Sequence, residues 1–144
     1  MKPHTVYDTC LLVLANGMLT GRKRGSLLDK RLGAIERFIN GDTIARFNNK
    51  LLGEYERKVL THRNDIIELF FTFLARDGKK VARSSLSRQQ HSEARGARWP
   101  DHDQHLLAAA IGGTRSLIVT TEKALEICSH SIRSRFGVVV ECIR

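Results

Sequence analysis

The sequence predicts an α/β protein: a single domain over residues 1–144, built on a parallel β-sheet of about five strands with helices on both faces. Short apolar, β-branched runs alternate along the chain with longer segments whose apolar residues recur at helical spacing, the pattern of strand-helix-strand units. One of the short runs, Ser116 to Thr121, has the composition of a parallel strand buried on both faces. A chain of 144 residues is also of ordinary size for one domain with a real core, and no second domain is expected.

The clearest unit is Pro100 to Leu125. Pro100 ends what precedes it, Asp101 occupies a position suited to an N-cap, and a helix carrying Leu106, Leu107, Ala109 and Ala110 runs to the stop Gly112-Gly113. The strand Ser116 to Thr121 follows. Asp103 therefore falls in the first turn of a helix and Glu122 just past the carboxyl end of a strand, the edge where open α/β sheets bind ligands. Either acid alone reads more readily as a cap or a partner of the helix dipole. The N-terminus repeats the arrangement: His4 to Tyr7 is a strand, Asp8 follows it, and Leu11 to Ala15 is a helical run closed by Asn16-Gly17. If the two strands are parallel, both acids stand on one edge of the sheet.

Between these units, Gly21 to Gly25 is a basic loop carrying Arg22, Lys23 and Arg24, open to two readings, solvated loop or phosphate contact. Ser26 to Phe38 is an amphipathic helix ended by Asn40-Gly41, and Thr43 to Phe47 is a second strand. Asn48-Asn49 caps a helix from Lys50 to about Leu60. Glu54 lies one turn into it and so at the same sheet edge, although an i, i+4 pair with Lys58 would account for it as well. Asn64 to Ala75 is a helix whose Phe70, Phe71 and Phe73 read as core, with one left over for a partner surface. Lys79 to Leu86 reads as a strand. Ser87 to Trp99 reads as a polar, basic loop carrying Arg88, Arg95 and Arg98, of a length that is usually functional or disordered; Arg98-Trp99, directly before the acidic element, makes it a candidate substrate wall, with a cover for the core as the other reading of Trp99. After Glu122 come a helix from Lys123 to about Ser131, a basic segment Arg133 to Arg135, and a last strand Val138 to Ile143.

Composition narrows the class. A net charge of +9 points to a polyanionic partner, most simply nucleic acid, or to an acidic protein that covers the basic face. No apolar run approaches the ~20 residues needed to span a bilayer, so no membrane segment is expected. The opening MKPHTVYD reads as a strand, so no signal peptide is expected either. Cys10, Cys128 and Cys142 are odd in number and lack C-x-x-C spacing, which argues against a disulfide framework or a structural zinc site and suits a reducing cytoplasm.

Asp8, Glu54, Asp103 and Glu122 thus come from separate segments to one crevice of a strongly basic protein. Clustered carboxylates repel, and their pKa values rise unless cations compensate. Mg²⁺ and Mn²⁺ are hard ions that take oxygen ligands and keep several waters. Such an ion can bind a phosphodiester, acidify an attacking water and stabilise the leaving oxygen, which is nuclease chemistry.

Asp8-Thr9 after the first strand, Leu51-Leu52-Gly53-Glu54-Tyr55 in the helix after the second, Asp103-x-x-Leu-Leu-x-x-Ala110, and Ile118-Val119-Thr120-Thr121-Glu122 resemble the four acidic motifs of PIN-domain proteins, over nearly the whole chain. Within that family the chain is most similar to small, single-domain, toxin-type ribonucleases. The resemblance implies a PIN-like fold and a metal-dependent endoribonuclease on single-stranded RNA, the toxin of a toxin-antitoxin pair. It further implies Asp8, Glu54, Asp103 and Glu122 as Mg²⁺ or Mn²⁺ ligands, with Thr120 orienting the site. Arg22, Lys23, Arg24, Arg95 and Arg98 are the candidate RNA contacts; an antitoxin or other acidic protein and a second copy of the chain are the other partners considered.

Two positions depart from the family pattern. Cys10 stands where Asn is common, so a hydrogen bond that positions Asp8 is expected to be missing. Glu122 stands where Asp is common, one methylene longer, which would lower activity or shift it toward Mn²⁺. Asp101 could add a further ligand, although its position suits an N-cap better. The rival reading from a different class is a non-catalytic PIN-like module that binds RNA or a protein through a weakened site. His102-Asp103 with His62 also forms an HD-type pattern, but that class resembles an all-helical bundle, and the strands around Ile118 and Val139 do not fit it. A zinc site at Asp101, His102, Asp103 and His105 reads instead as surface or half-buried histidines, and no Walker loop, dinucleotide fingerprint or nucleophile elbow is present.

Overall fold

The computed structural model describes residues 1–17, 26–59 and 62–144. In chain order its elements are β1 (His4–Tyr7), α1 (Thr9–Ala15), α2 (Ser26–Ile39), β2 (Ile44–Phe47), α3 (Asn49–Lys58), α4 (Asp65–Asp77), β3 (Lys79–Lys80), α5 (Arg88–Gly96), a 3₁₀ turn Asp101–Asp103, α6 (Gln104–Ala110), β4 (Leu117–Thr120), α7 (Lys123–Ile127), α8 (Ser129–Phe136) and β5 (Val139–Cys142). The five strands form one wholly parallel sheet in the order β3-β2-β1-β4-β5. The α/β class, the strand number and the parallel sheet are as the sequence predicts.

That order sets where a ligand can bind. Crossovers between parallel strands are right-handed, so the steps β1 to β2 to β3 carry α1 to α4 over one face, and the return to β4 and β5 carries α5 to α8 over the other. The chain therefore leaves β1 toward one side and the adjacent β4 toward the other. The crevice of a doubly wound sheet opens at such a switch point, outside the carboxyl ends of the strands. Asp8 follows β1 directly, and Glu122 lies two residues past the end of β4.

The central strands β1, β2 and β4 each bury three of their four residues, the continuous apolar burial that helices on both faces demand. On one face Phe70 of α4 is the hub of an aromatic cluster, edge-on to Tyr7, Phe38, Tyr55 and Phe71 with ring centroids 5.4 to 5.9 Å apart. The Tyr7 hydroxyl donates to Ala34 O at 2.7 Å and the Tyr55 hydroxyl to Tyr7 O, so both phenols are buried with their polar ends satisfied. None of the three phenylalanines is left bare for a partner, because the guanidinium of Arg63 lies over Phe71 and that of Arg76 over Phe73. On the other face, alanine-rich α6 lies close to the sheet and is anchored by a buried arginine. Arg46 of β2 donates from Nε to Ala109 O at 2.8 Å and from Nη2 to Ile111 O at 3.1 Å, placing a cation at the negative end of that helix. The turn that follows needs its glycines: Gly112 has φ +86°, and a Cβ on Gly113 would meet Ser116 Oγ at 2.4 Å and His4 Nδ1 at 2.8 Å.

Several elements differ from the sequence reading. The strand expected over Lys79 to Leu86 is only the pair Lys79–Lys80, an exposed edge hydrogen-bonded to β2. Ser87 to Trp99 is not a loop but holds α5, started by a capping box in which Ser87 and Gln90 satisfy each other's backbone N–H groups. Only Ala94 of that helix is buried, so it has no apolar stripe to give it away. The helix expected over Lys123 to Ser131 is two short ones that break at Cys128, and Arg133 to Arg135 belong to the second. Asp101 is not a helix cap: Pro100 holds that position and Asp101 begins the 3₁₀ turn. Among the described residues no helix is long and apolar enough to cross a membrane.

The aromatic hub yields a direct test. Phe70→Ala should cost about 3 to 5 kcal/mol through lost burial and the cavity left among four rings, measured as a shift in the urea unfolding midpoint. A loss under about 1 kcal/mol would mean that the cluster collapses around the gap.

Candidate active site

Asp8 is placed by the sheet itself. Its N–H continues the β1 to β4 ladder, donating to Val119 O at 2.9 Å, and its backbone then turns into α1 as the N-cap. The side chain does not cap that helix. Its Oδ2 instead accepts from Thr120 Oγ1 at 2.7 Å and from Cys10 Sγ at 3.2 Å. Thr120, fully buried at the end of β4, also accepts from the Glu122 N–H at 3.0 Å, so one hydroxyl ties the ends of the two central strands together. The hydrogen bond expected to be missing at Cys10 is therefore present, with a thiol as donor. Burial and the neighbouring Asp8 charge push that thiol up to about 11, so it keeps its proton at neutral pH, and Thr121 Oγ1 donates to its sulfur at 3.0 Å.

The opposite wall is built by α3 and α6. Asn48, fully buried at the end of β2, caps α3 by accepting from Leu51 N at 3.0 Å and donates from Nδ2 to His105 O at 2.9 Å and Arg83 O at 3.2 Å. It thereby sets the spacing between the helix carrying Glu54 and the segment carrying Asp103. Glu54 points one oxygen toward Lys58 Nζ at 3.6 Å, while Oε1 abuts His105 Nε2. His105 is 1% exposed rather than a surface or half-buried residue, and burial holds it below its ordinary pKa although the Glu54 charge opposes the shift.

Asp103 closes the site. Trp99 is buried and donates from Nε1 to Asp103 O at 2.8 Å, so it fixes the backbone of this acid and is not a substrate wall. The side chain caps nothing, although Asp103 occupies the position before α6, and faces His102 Nε2 at 3.3 Å. Its carboxyl is pushed up to about 6, chiefly by burial and then by the charge of Asp8, with smaller contributions of the same sign from Glu122 and Glu54, against the lowering effect of His102. Beyond burial, the part of that shift due to Asp8, Glu122 and Glu54 reflects their proximity. Asp8, Glu54, Asp103 and Glu122 line one cleft of about 350 Å³ together with Thr9, Cys10, Lys58 and His102. A groove of similar size, about 400 Å³, lies at the other end of the sheet around Phe38, Gly41 and Phe73; its one acid, Asp77, pairs with Arg76.

No family model, curated protein or solved structure matches the chain.

The cleft unites the four acids that the sequence singles out and places Thr120 behind Asp8. Glu122 is exposed, and only its backbone is held. Asp101 lies outside the cleft lining, paired with Arg95 Nη2 at 3.6 Å and His91 Nε2 at 3.3 Å, contacts that hold its carboxyl below the usual range, His91 first. Arg95 is engaged by that pair, and Arg98 is exposed with a left-handed backbone, φ 65°; neither lines the cleft. Arg22, Lys23 and Arg24 lie outside the described residues. The sequence reading missed His105 and the cleft-lining role of His102, and it placed Lys58 only as a surface partner of Glu54.

Among the described residues no group of three or more His, Cys, Asp or Glu side chains stands close enough to hold a metal ion. The donor chemistry nevertheless fits a hard cation, since Mg²⁺ keeps several waters and uses one or two carboxylates, and Asp8, Glu54, Asp103 and Glu122 all line the cleft.

The raised Asp103 carboxyl makes a prediction for the metal-free protein. Below its ordinary value of 3.8 both folded and unfolded chains hold the proton; between there and about 6 only the folded chain does, so stability falls as pH rises through this window. Asp103→Asn should therefore stabilise the protein at pH 7.5 by on the order of 1 kcal/mol after allowance for solvent screening, and by nothing near pH 3.5. Thermal melts in chelator across pH check this, and a variant less stable at pH 7.5 would contradict the repulsion.

Proposed function

We propose that this chain is a divalent-metal-dependent endoribonuclease acting on single-stranded RNA, as the resemblance of its motifs to the PIN family suggests. The observation that carries the reading is the convergence of Asp8, Glu54, Asp103 and Glu122 on one cleft at the switch point of the sheet, with Asp103 pushed up to about 6 by burial and then by its acidic neighbours. Asp8 and Asp103 would hold the cation, with Glu54 and Glu122 as further ligands and Thr120 and Cys10 keeping Asp8 in one orientation. When bound, Mg²⁺ or Mn²⁺ supplies the charge that binds a phosphodiester oxygen and acidifies a water. Lys58 and His102, which line the cleft, would meet the phosphate backbone. In-line attack forms a bond from the water oxygen to phosphorus and breaks the bond to the 3′ oxygen, which takes up a proton. The products are a 5′-phosphate and a 3′-hydroxyl. The toxin role, the antitoxin and a cytoplasmic location belong to the same proposal.

A second reading, a non-catalytic PIN-like module that binds RNA or a protein, draws on the exposed side chain of Glu122 and on the spacing of the acids in the cleft.

Cleavage of a labelled single-stranded RNA with Mg²⁺, Mn²⁺ or excess chelator separates the two. Asp8→Asn should lower the rate by about 10²-fold or more, because the reacting groups lose the charge that positions them, while Glu122→Asp should preserve or raise it. Cleavage that survives in chelator, or an Asp8→Asn protein as active as wild type, would end the nuclease reading. Binding without cleavage under any metal would install the second one.

RNA binding can be tested on its own. Neutralising Arg98 should reduce the slope of log affinity against log salt by about 0.7, the value for one single-strand phosphate contact. An unchanged slope would remove Arg98 from the interface.

A further inference from the structure

His105 is an unusual occupant of a core. It lies on α6 two residues past Asp103, is 1% exposed, and neither ring nitrogen makes an aligned hydrogen bond. Burying an imidazole without partners is costly, so its one polar contact carries information. That contact is Nε2 against Glu54 Oε1, an atom itself buried and otherwise unpartnered. The same residue is held through its carbonyl by Asn48, which also caps the helix bearing Glu54. Imidazole and carboxylate are thus held face to face by a bracket between α3 and α6, while Glu54 Oε2 faces Lys58 in the cleft.

We propose that His105 is a positioning residue for Glu54: its Nε2–H retains Oε1 inside the protein and leaves Oε2 as the single oxygen presented to a cation in the cleft. The inference rests on the metal-nuclease reading and adds to it how one acid is oriented. A proton on Nε2 leaves Nδ1 a bare acceptor, a cheaper group to bury than an orphaned N–H. A ligand acid turned by a buried N–H is the arrangement by which groups behind a metal site fix its geometry, and losing such a group typically weakens metal affinity by about 10- to 100-fold.

Two measurements test this on the full chain. In the metal-free protein labelled with ¹⁵N-histidine, His105 should show an Nε2–H protected from exchange, and Glu54→Ala should abolish that signal. In a Mn²⁺ titration followed by electron paramagnetic resonance, His105→Leu should weaken binding about tenfold, and His105→Gln, whose amide N–H reaches the same place, should recover most of the loss. Wild-type affinity in His105→Leu, or a Gln variant as weak as the Leu one, would overturn the proposal; if the Leu variant fails to fold, the protected proton decides. Wild-type protein that takes up no Mn²⁺ would sink the metal-nuclease reading, whereas wild-type uptake without a protected His105 proton would sink this inference alone.

Discussion

A buried hydroxyl at the end of the fourth strand holds the centre of the molecule. Thr120 donates to Asp8 and accepts from the Glu122 N–H, joining the two strand ends at which the chain turns to opposite faces of the sheet. A carboxylate as buried as Asp8 must be hydrogen-bonded to be tolerated, and at this position the backbone is already committed to the ladder and to the first turn of α1. Only side chains can serve it. Thr120 and Cys10 do so from different segments, so the orientation of Asp8 depends on the β1 to β4 register, and a slip of one residue would turn Thr120 to the other face.

The rest of the cleft is fixed by the same economy of buried polar groups. Asn48 uses both ends of its amide, one for the cap of α3 and the other for two carbonyls. Trp99 uses its single N–H on the backbone of Asp103. Each acid therefore stands on or beside a regular element whose position is set by a buried donor or acceptor behind it, the condition for a site held within fractions of an ångström. Glu122 is the exception, fixed through its backbone alone, and its side chain is the freest of the four.

What the sequence disclosed follows from which signals are local. Strand ends and helix starts leave composition and periodicity, so Asp8, Glu54, Asp103 and Glu122 could be brought to one edge before any coordinates. Where two local signals competed the reading erred: Asp101 looked like a cap, yet Pro100 takes the cap position and Asp101 pairs with Arg95 and His91, contacts invisible along the chain. Helix α5 was hidden because a polar helix that buries only Ala94 has no stripe, although Ser87-x-x-Gln90 was a legible capping box. The burial of His105 against Glu54 could not be read along the chain. Its neighbour is Glu54, and only the packing of α3 against α6 makes them meet. The same holds for Cys10, whose thiol replaces an expected donor because Asp8 and Thr121 lie on either side of it in space.

The basic surface and the acidic cleft are two parts of one electrostatic problem. A net charge of +9 makes the molecule attract polyanions, yet the cleft would repel a phosphate backbone if its carboxylates stood alone. Lys58 beside Glu54 offsets them in part, and His102 beside Asp103 does so when it is protonated. Both are exposed, and exposed pairs contribute little because water screens them. The residue of that imbalance is visible in Asp103, whose carboxyl stays raised despite His102. A divalent cation among the carboxylates would do what the two side chains cannot, since it can approach several oxygens at once from within the low-dielectric cleft. It would also free Lys58 and His102 to face the solvent. The cleft would then no longer oppose the net positive charge of the chain.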